Sequence, residues 1–143
     1  SIEVARRVRE VLSGPKPLRS RMQSRMELTA LLHDASEAYL SDIVKPIKPA
    51  FLGYKEWEAA AMMTISEVFG TIWPLPPVVE EVDRLIVVDE VANFYRPGSE
   101  AWKRYGITAR GDYRALPVLD WRQAEVAFLC KFNQLHNEVN CGI

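Results

Sequence analysis

Five stretches of this chain repeat apolar residues at the three- and four-residue spacing of one helix face, and none alternates apolar and polar residues between turns as a half-buried strand does. The expected fold is therefore all-α, a single helical bundle. The first stretch, Ile2 to Leu12, carries Val4, Val8, Val11 and Leu12 and stops at Ser13-Gly14-Pro15-Lys16-Pro17. A second, from about Ser20 to Ser36, places Met22, Met26, Thr29, Leu32 and His33 near one stripe, with Ala30 and Leu31 also apolar. Tyr54 to Phe69 follows, with Trp57, Ala60, Ala61, Thr64, Ile65 and Val68 expected on the core face and Gly70 as the stop. The fourth, about Pro77 to Tyr95, carries Val78, Val82, Leu85, Ile86 and Ala92 and starts on prolines that suit a first helical turn. The last is capped by Asp120 and packs through Ala124, Phe128, Leu129, Phe132 and Leu135. Between Ser99 and Leu119 the pattern is weak, with one helical turn expected around Trp102.

At 143 residues the chain suits one domain that buries roughly two-thirds of its unfolded surface. Eighteen Lys and Arg against nineteen Asp and Glu leave no global charge to attract a nucleic-acid polymer or a membrane. No apolar run approaches the roughly 20 residues of a spanning helix. Cys130 and Cys141 form no CxxC and no zinc spacing, which favours a reducing, cytoplasmic setting over a disulfide framework.

The chemistry concentrates in Leu31-Leu32-His33-Asp34-Ala35-Ser36-Glu37-Ala38-Tyr39-Leu40-Ser41-Asp42, where one of only two histidines lies among three acids. Adjacent imidazole and carboxylate groups suit one divalent ion of the Co, Mn, Zn, Fe or Mg kind. Glu37, four residues beyond His33, would share its helical face and reach a water there. The competing reading is that His33 and Asp34 only close a helix end, where an imidazole satisfies terminal carbonyls. Asp83, with Val79, Val82 and Ile86 around it on its helix, is expected to turn inward, and a buried carboxylate needs a partner: the ion, Arg84 or a backbone amide. Glu37 and Asp42 also read as helix-end or turn caps, and Lys45 and Lys48 on a proline-stiffened loop read as a phosphate clamp or as solvated charges. Asp89, Glu90, Arg19, Arg21 and Arg25 are expected to be solvated, and His136 to be a surface or packing residue.

These residues resemble the HD-domain metal-dependent phosphohydrolases, in particular the small bacterial and phage-type members that act on nucleotides. The similarity rests on His33-Asp34-Ala35-Ser36-Glu37 followed by Asp42 and the Pro46-Ile47-Lys48 loop, on Val82-Asp83-Arg84, and on Trp121 to Leu129. It implies that His33, Asp34 and Asp83 bind one divalent metal, that Glu37 orients or deprotonates the attacking water, and that Asp42 assists near the phosphate. Lys45 or Lys48 would hold the phosphate, and Tyr39, Tyr54 and Trp57 would wall the base or sugar. The family's first histidine falls immediately before Ser1, so the expectation is an HD domain over 1–143 lacking its native N-terminal segment. The implied activity is a 5'-deoxynucleotidase. A dNTP triphosphohydrolase, or a degenerate domain that binds nucleotide or a partner without turnover, are the alternatives. The substrate partner is a small nucleotide, and homo-oligomer assembly rests on the resemblance alone.

Overall fold

The computed structural model describes residues 1–14, 20–41, 43, 47–108, 111 and 113–140. Among them are seven α-helices and no strand, the all-α fold that the helical periodicity predicts. They are α1 (Ile2–Leu12), α2 (Ser20–Leu31), α3 (Glu37–Leu40), α4 (Tyr54–Phe69), α5 (Pro77–Phe94), α6 (Glu100–Arg104) and α7 (Trp121–Asn140), with one 3-10 turn at Lys48–Ala50.

Helix α2 is the centre. Glu27, Leu28, Thr29, Ala30 and Leu31 are all buried, so its last turns are enclosed on most sides, as apolar Ala30 and Leu31 beside the stripe predict. Helices α1 and α7 pack on it, and α1 also lies against α5. Val4, Ala5 and Val8 of α1, Val79, Val82 and Ile86 of α5, and Leu135 and Val139 of α7 complete one core with Leu28, Leu31 and Leu32. A smaller core joins Val91 and Ala92 to Trp102 and Ile107, using the expected turn around Trp102. There Ser99 Oγ accepts from Trp102 N at the start of α6, and Trp102 Nε1 donates to the Tyr95 carbonyl at 3.2 Å.

Capping chemistry sets several boundaries. Asp120 Oδ1 accepts from Gln123 N at 2.9 Å while Gln123 Oε1 accepts from Asp120 N at 3.0 Å, a reciprocal cap that starts α7 where the sequence placed it. Gly70 ends α4 at φ +70°, a left-handed conformation that selects glycine.

Several expected positions differ. Helix α2 ends at Leu31 rather than near Ser36, because the chain tightens there into i to i+3 bonds such as Ala35 N to Leu32 O and Glu37 N to Asp34 O. On α4 the buried residues are Tyr54, Met62 and Ile65, while Trp57 and Val68 are 62% and 66% exposed; of the expected core stripe only Ile65 is buried, and Ala61 is half-covered. On α5 Val79 is fully buried and Leu85 is exposed, and on α7 Leu129 is exposed while Phe128 and Phe132 pack against the core from partly buried positions.

The arginines of α2 are tied to backbone carbonyls, Arg21 while remaining exposed and Arg25 half-buried; Arg19 lies outside the described residues. Arg21 donates twice to the Val139 carbonyl, at 3.0 and 2.8 Å, and Arg25 donates to the Gly70 and Thr71 carbonyls at 2.8 and 3.0 Å. Each guanidinium satisfies carbonyls at or just beyond a helix C-terminus, where the helix leaves them unpaired and the dipole favours a cation. Asp89 is buried rather than solvated. It pairs with buried Arg7 and accepts from Arg114 N at 2.6 Å, which ties α1 and the segment after α6 to α5. Glu90, one residue on, is exposed as expected.

The covered and open faces give opposite costs. Leu28→Ala is expected to lose about 2–5 kcal/mol, since Leu28 is fully buried in a packed core. Trp57→Ala is expected to change stability by no more than about 0.5 kcal/mol, as surface substitutions do. Urea unfolding of both variants checks this, and a Trp57 loss comparable with that of Leu28 would contradict the open face of α4.

Candidate metal centre

His33 stands two residues beyond the end of α2, where the helix leaves its last carbonyls without amide partners. Its Nδ1 lies 2.9 Å from the Ala30 carbonyl, and because a carbonyl only accepts, Nδ1 carries the proton in this bond. In the neutral ring Nε2 is then left with a lone pair. That lone pair is directed at two carboxylates: Asp34 Oδ2 at 2.7 Å and Asp83 Oδ1 at 3.2 Å. The helix-end reading and the ligand reading of His33 are thus compatible, one served by each ring nitrogen.

His33, Asp34 and Asp83 form a group that could hold a metal ion, with one donor atom from each lying within 4.8 Å of the others. Neighbouring ligands on an ion with bonds of about 2.1 Å stand about 3 Å apart, so the separations from Nε2 already match a shared ion. The outer contact fits as well, since a ligating histidine is normally oriented by a hydrogen bond from its other nitrogen to a carbonyl or carboxylate. One imidazole with two carboxylates is a donor set for Zn, Mn, Co or Fe, more nitrogen-rich than a Ca site.

Only His33 is enclosed. The side chains of Asp34 and Asp83 are 51% and 42% exposed, so the donors line the rim of the core, not its interior. Asp83 therefore does not turn inward as far as its apolar helical neighbours suggest. It faces His33, and Arg84 pairs instead with Glu81 at 2.7 Å. Burial works against a charge on His33, but the Asp34 carboxylate, the Ala30 carbonyl and Asp83 outweigh it and raise the imidazole above its ordinary value. Burial also acts to raise Asp34, and the hydrogen bond and charge of His33 overcome it and lower that carboxyl, with further help from Lys48.

Glu37 opens the short helix α3, with its amide bonded to the Asp34 carbonyl at 2.9 Å, so it follows a turn instead of continuing the helix of His33. Its charge and that of Asp34 both interact with Lys48. Lys48 is bonded to Glu58 at 3.0 Å and lies 5.4 Å from the centre of the Tyr54 ring. Tyr54 is buried and donates to the Ser41 carbonyl at 2.8 Å, which makes it a support beneath the loop and removes it from the expected wall for a base. Tyr39 and Trp57 are open to solvent. Asp42 and Lys45 lie outside the described residues. His136 is half-buried and stacks on Phe132, the packing role expected of it. Glu58, whose link to Lys48 spans ten residues, is not among the expected site residues, whereas the carbonyl contact of His33 is the helix-end closure expected of it.

No helix among the described residues is long and apolar enough to cross a membrane. No family model matches the chain, and no solved structure matches it. The chain is 31% identical over 118 residues to the uncharacterized protein YfdR of Escherichia coli (strain K12). The match takes in 79% of this chain and 64% of that relative, so the chain spans less than two-thirds of the relative's length.

Metal binding at these donors must displace the proton that the two carboxylates favour on His33. Affinity for Mn(II) or Zn(II) is therefore expected to fall as pH drops through the raised His33 midpoint. Calorimetry in buffers of different ionisation enthalpy is expected to show close to one proton released per ion below that midpoint. Without metal the sign reverses. A raised His33 stabilises the fold fully below its unfolded value and loses that contribution as pH rises through the folded one, so His33→Ala should cost more stability in acid than in base.

Proposed function

We propose that this chain is an HD-type, metal-dependent phosphohydrolase that cleaves the phosphate ester of a deoxynucleoside 5'-monophosphate. The observation that carries the reading is the convergence of His33 Nε2 and two carboxylate oxygens at the rim of the core, with the Lys48 cation within electrostatic reach of Asp34. A divalent ion held by His33, Asp34 and Asp83 would supply a lowered water pKa and neutralise charge on the phosphoryl oxygens, the main obstacle to attack on an anion.

Around that ion the chain's own groups divide the work. Glu37 accepts the proton of the attacking water, in keeping with its place one turn after Asp34. Lys48 meets a phosphate oxygen with its ammonium, a compact point charge suited to an anion. Asp42 and Lys45 keep the phosphate-side roles that the resemblance implies. The open rings of Tyr39 and Trp57 are available to the nucleoside. His33 stays locked by Ala30 throughout, so the imidazole is presented without any rotameric search. The part match to YfdR adds no activity, since the printed name of that relative states none.

The test is product analysis with the Mn(II)- or Co(II)-loaded protein on a panel of deoxynucleoside mono- and triphosphates. Inorganic phosphate from the monophosphates is the expected product. Intact triphosphate from the triphosphates would replace this reading with a triphosphohydrolase, and no turnover of any substrate would leave a nucleotide-binding or partner-binding domain. Glu37→Gln is expected to lower kcat by about 10²-fold or more at unchanged metal affinity, as loss of a general base does. Unchanged turnover in that variant would remove Glu37 from the mechanism.

A further inference from the structure

Two residues on the first turns of α4 bond to the chain that follows His33 and Asp34 in sequence. Tyr54 and Glu58 are four apart and so share one helix face. Tyr54 donates to the Ser41 carbonyl at 2.8 Å, and Glu58 accepts from Lys48 Nζ at 3.0 Å. Ser41 is the one non-glycine residue among those described with positive φ, at 63°, a backbone conformation that needs support of this kind. Lys48 starts the 3-10 turn, so the same helix face grips the chain on entering and on leaving the interval from 41 to 48.

A lysine on an exposed turn normally samples many rotamers and loses that freedom when it is fixed. Here the ammonium is already confined, with the Tyr54 ring beneath it and the Glu58 carboxylate beside it, and its side chain is only 18% exposed. An ammonium has three N–H donors, so bonding to Glu58 leaves donors for another oxygen anion. The charge acts on the metal-centre side of the fold, where it interacts with Glu37. Glu58 is not one of the grouped donors, which are His33, Asp34 and Asp83.

We propose that Glu58 is a positioning residue that holds the Lys48 ammonium over the Tyr54 ring as a preformed phosphate-oxygen site beside the metal centre. The inference rests on the phosphohydrolase reading for the identity of the anion. Glu58 acts through geometry and at the expense of some attraction, because its charge opposes that of the incoming phosphate. Preorganisation wins if the tether gains more than the partial neutralisation loses, and that balance is measurable.

The experiment is titration of inorganic phosphate into the Mn(II)-loaded protein by calorimetry, alongside steady-state kinetics on deoxynucleoside monophosphates. Glu58→Ala is expected to weaken phosphate binding and raise KM by roughly tenfold, with kcat within about twofold, as loss of a positioning contact does. Glu58→Gln, whose amide oxygen still accepts from Lys48, should recover most of the loss. In a Lys48→Met background Glu58→Ala should add nothing, since the two act as one unit. Unchanged Mn(II) affinity and thermal melting in Glu58→Ala would confirm that fold and metal centre persist. Equal or tighter phosphate binding by Glu58→Ala overturns the proposal, as does an equal effect in the Lys48→Met background. A wild-type protein that neither binds phosphate nor turns over nucleotide overturns the phosphohydrolase reading itself, a failure visible before any variant is made.

Discussion

The burial of α2 is the constraint on which the remaining architecture depends. A helix whose last turns are enclosed needs partners for the polar groups it carries inward, and this one finds most of them on its neighbours. Glu27, 1% exposed, is paired with Arg9 of α1 and Lys131 of α7. Arg21 and Arg25 close the C-termini of α7 and α4, and Thr29 accepts from Ile72 N at 3.0 Å just beyond α4. These contacts make the bundle more than an apolar collapse, because Arg21, Ser24, Arg25, Glu27 and Thr29 of α2 each have a specified partner on another element. Removal of one partner would leave a buried charge behind, which costs far more than the pair itself contributes.

The same helix places the chemistry. Its C-terminus leaves carbonyls that α2 cannot satisfy, and His33 uses one of them, that of Ala30, to fix its ring. The far nitrogen then meets carboxylates from two different elements, the turn after α2 and the middle of α5. A structural defect intrinsic to helix ends thus becomes the orienting contact of a donor group. The rim position of Asp34 and Asp83 keeps that group accessible to an anion while the imidazole remains in the core.

The sequence made the fold class legible because helical periodicity survives without any knowledge of partners, and the breakers Gly14, Gly70 and Pro97 marked ends that the structure retains. Periodicity could not say which stripe of α4 is covered. That helix has apolar residues nearly all round, so Trp57 and Val68 are as well spaced as Met62 and Ile65, and only tertiary packing chooses between them. Polar contacts between elements were illegible for a related reason. Arg25 to Gly70, Arg7 to Asp89 and Lys48 to Glu58 depend on contacts between elements, and a charge in isolation reads as solvated. The donor group was legible in part, since His33 and Asp34 are adjacent and Asp83 interrupts an apolar stripe. The carbonyl contact of His33 was legible as a helix-end closure, and the fold identifies the carbonyl as that of Ala30.

The central claim is that His33, Asp34 and Asp83 bind one divalent ion through Nε2 and two carboxylates. Anomalous diffraction from crystals grown with Mn(II), Co(II) or Zn(II) addresses it directly. The account predicts one ion at about 2.0–2.2 Å from His33 Nε2 and from an oxygen of each aspartate, with Nδ1 still bonded to the Ala30 carbonyl. An ion at any other cluster, or a His33 ring turned to ligate through Nδ1, would contradict it.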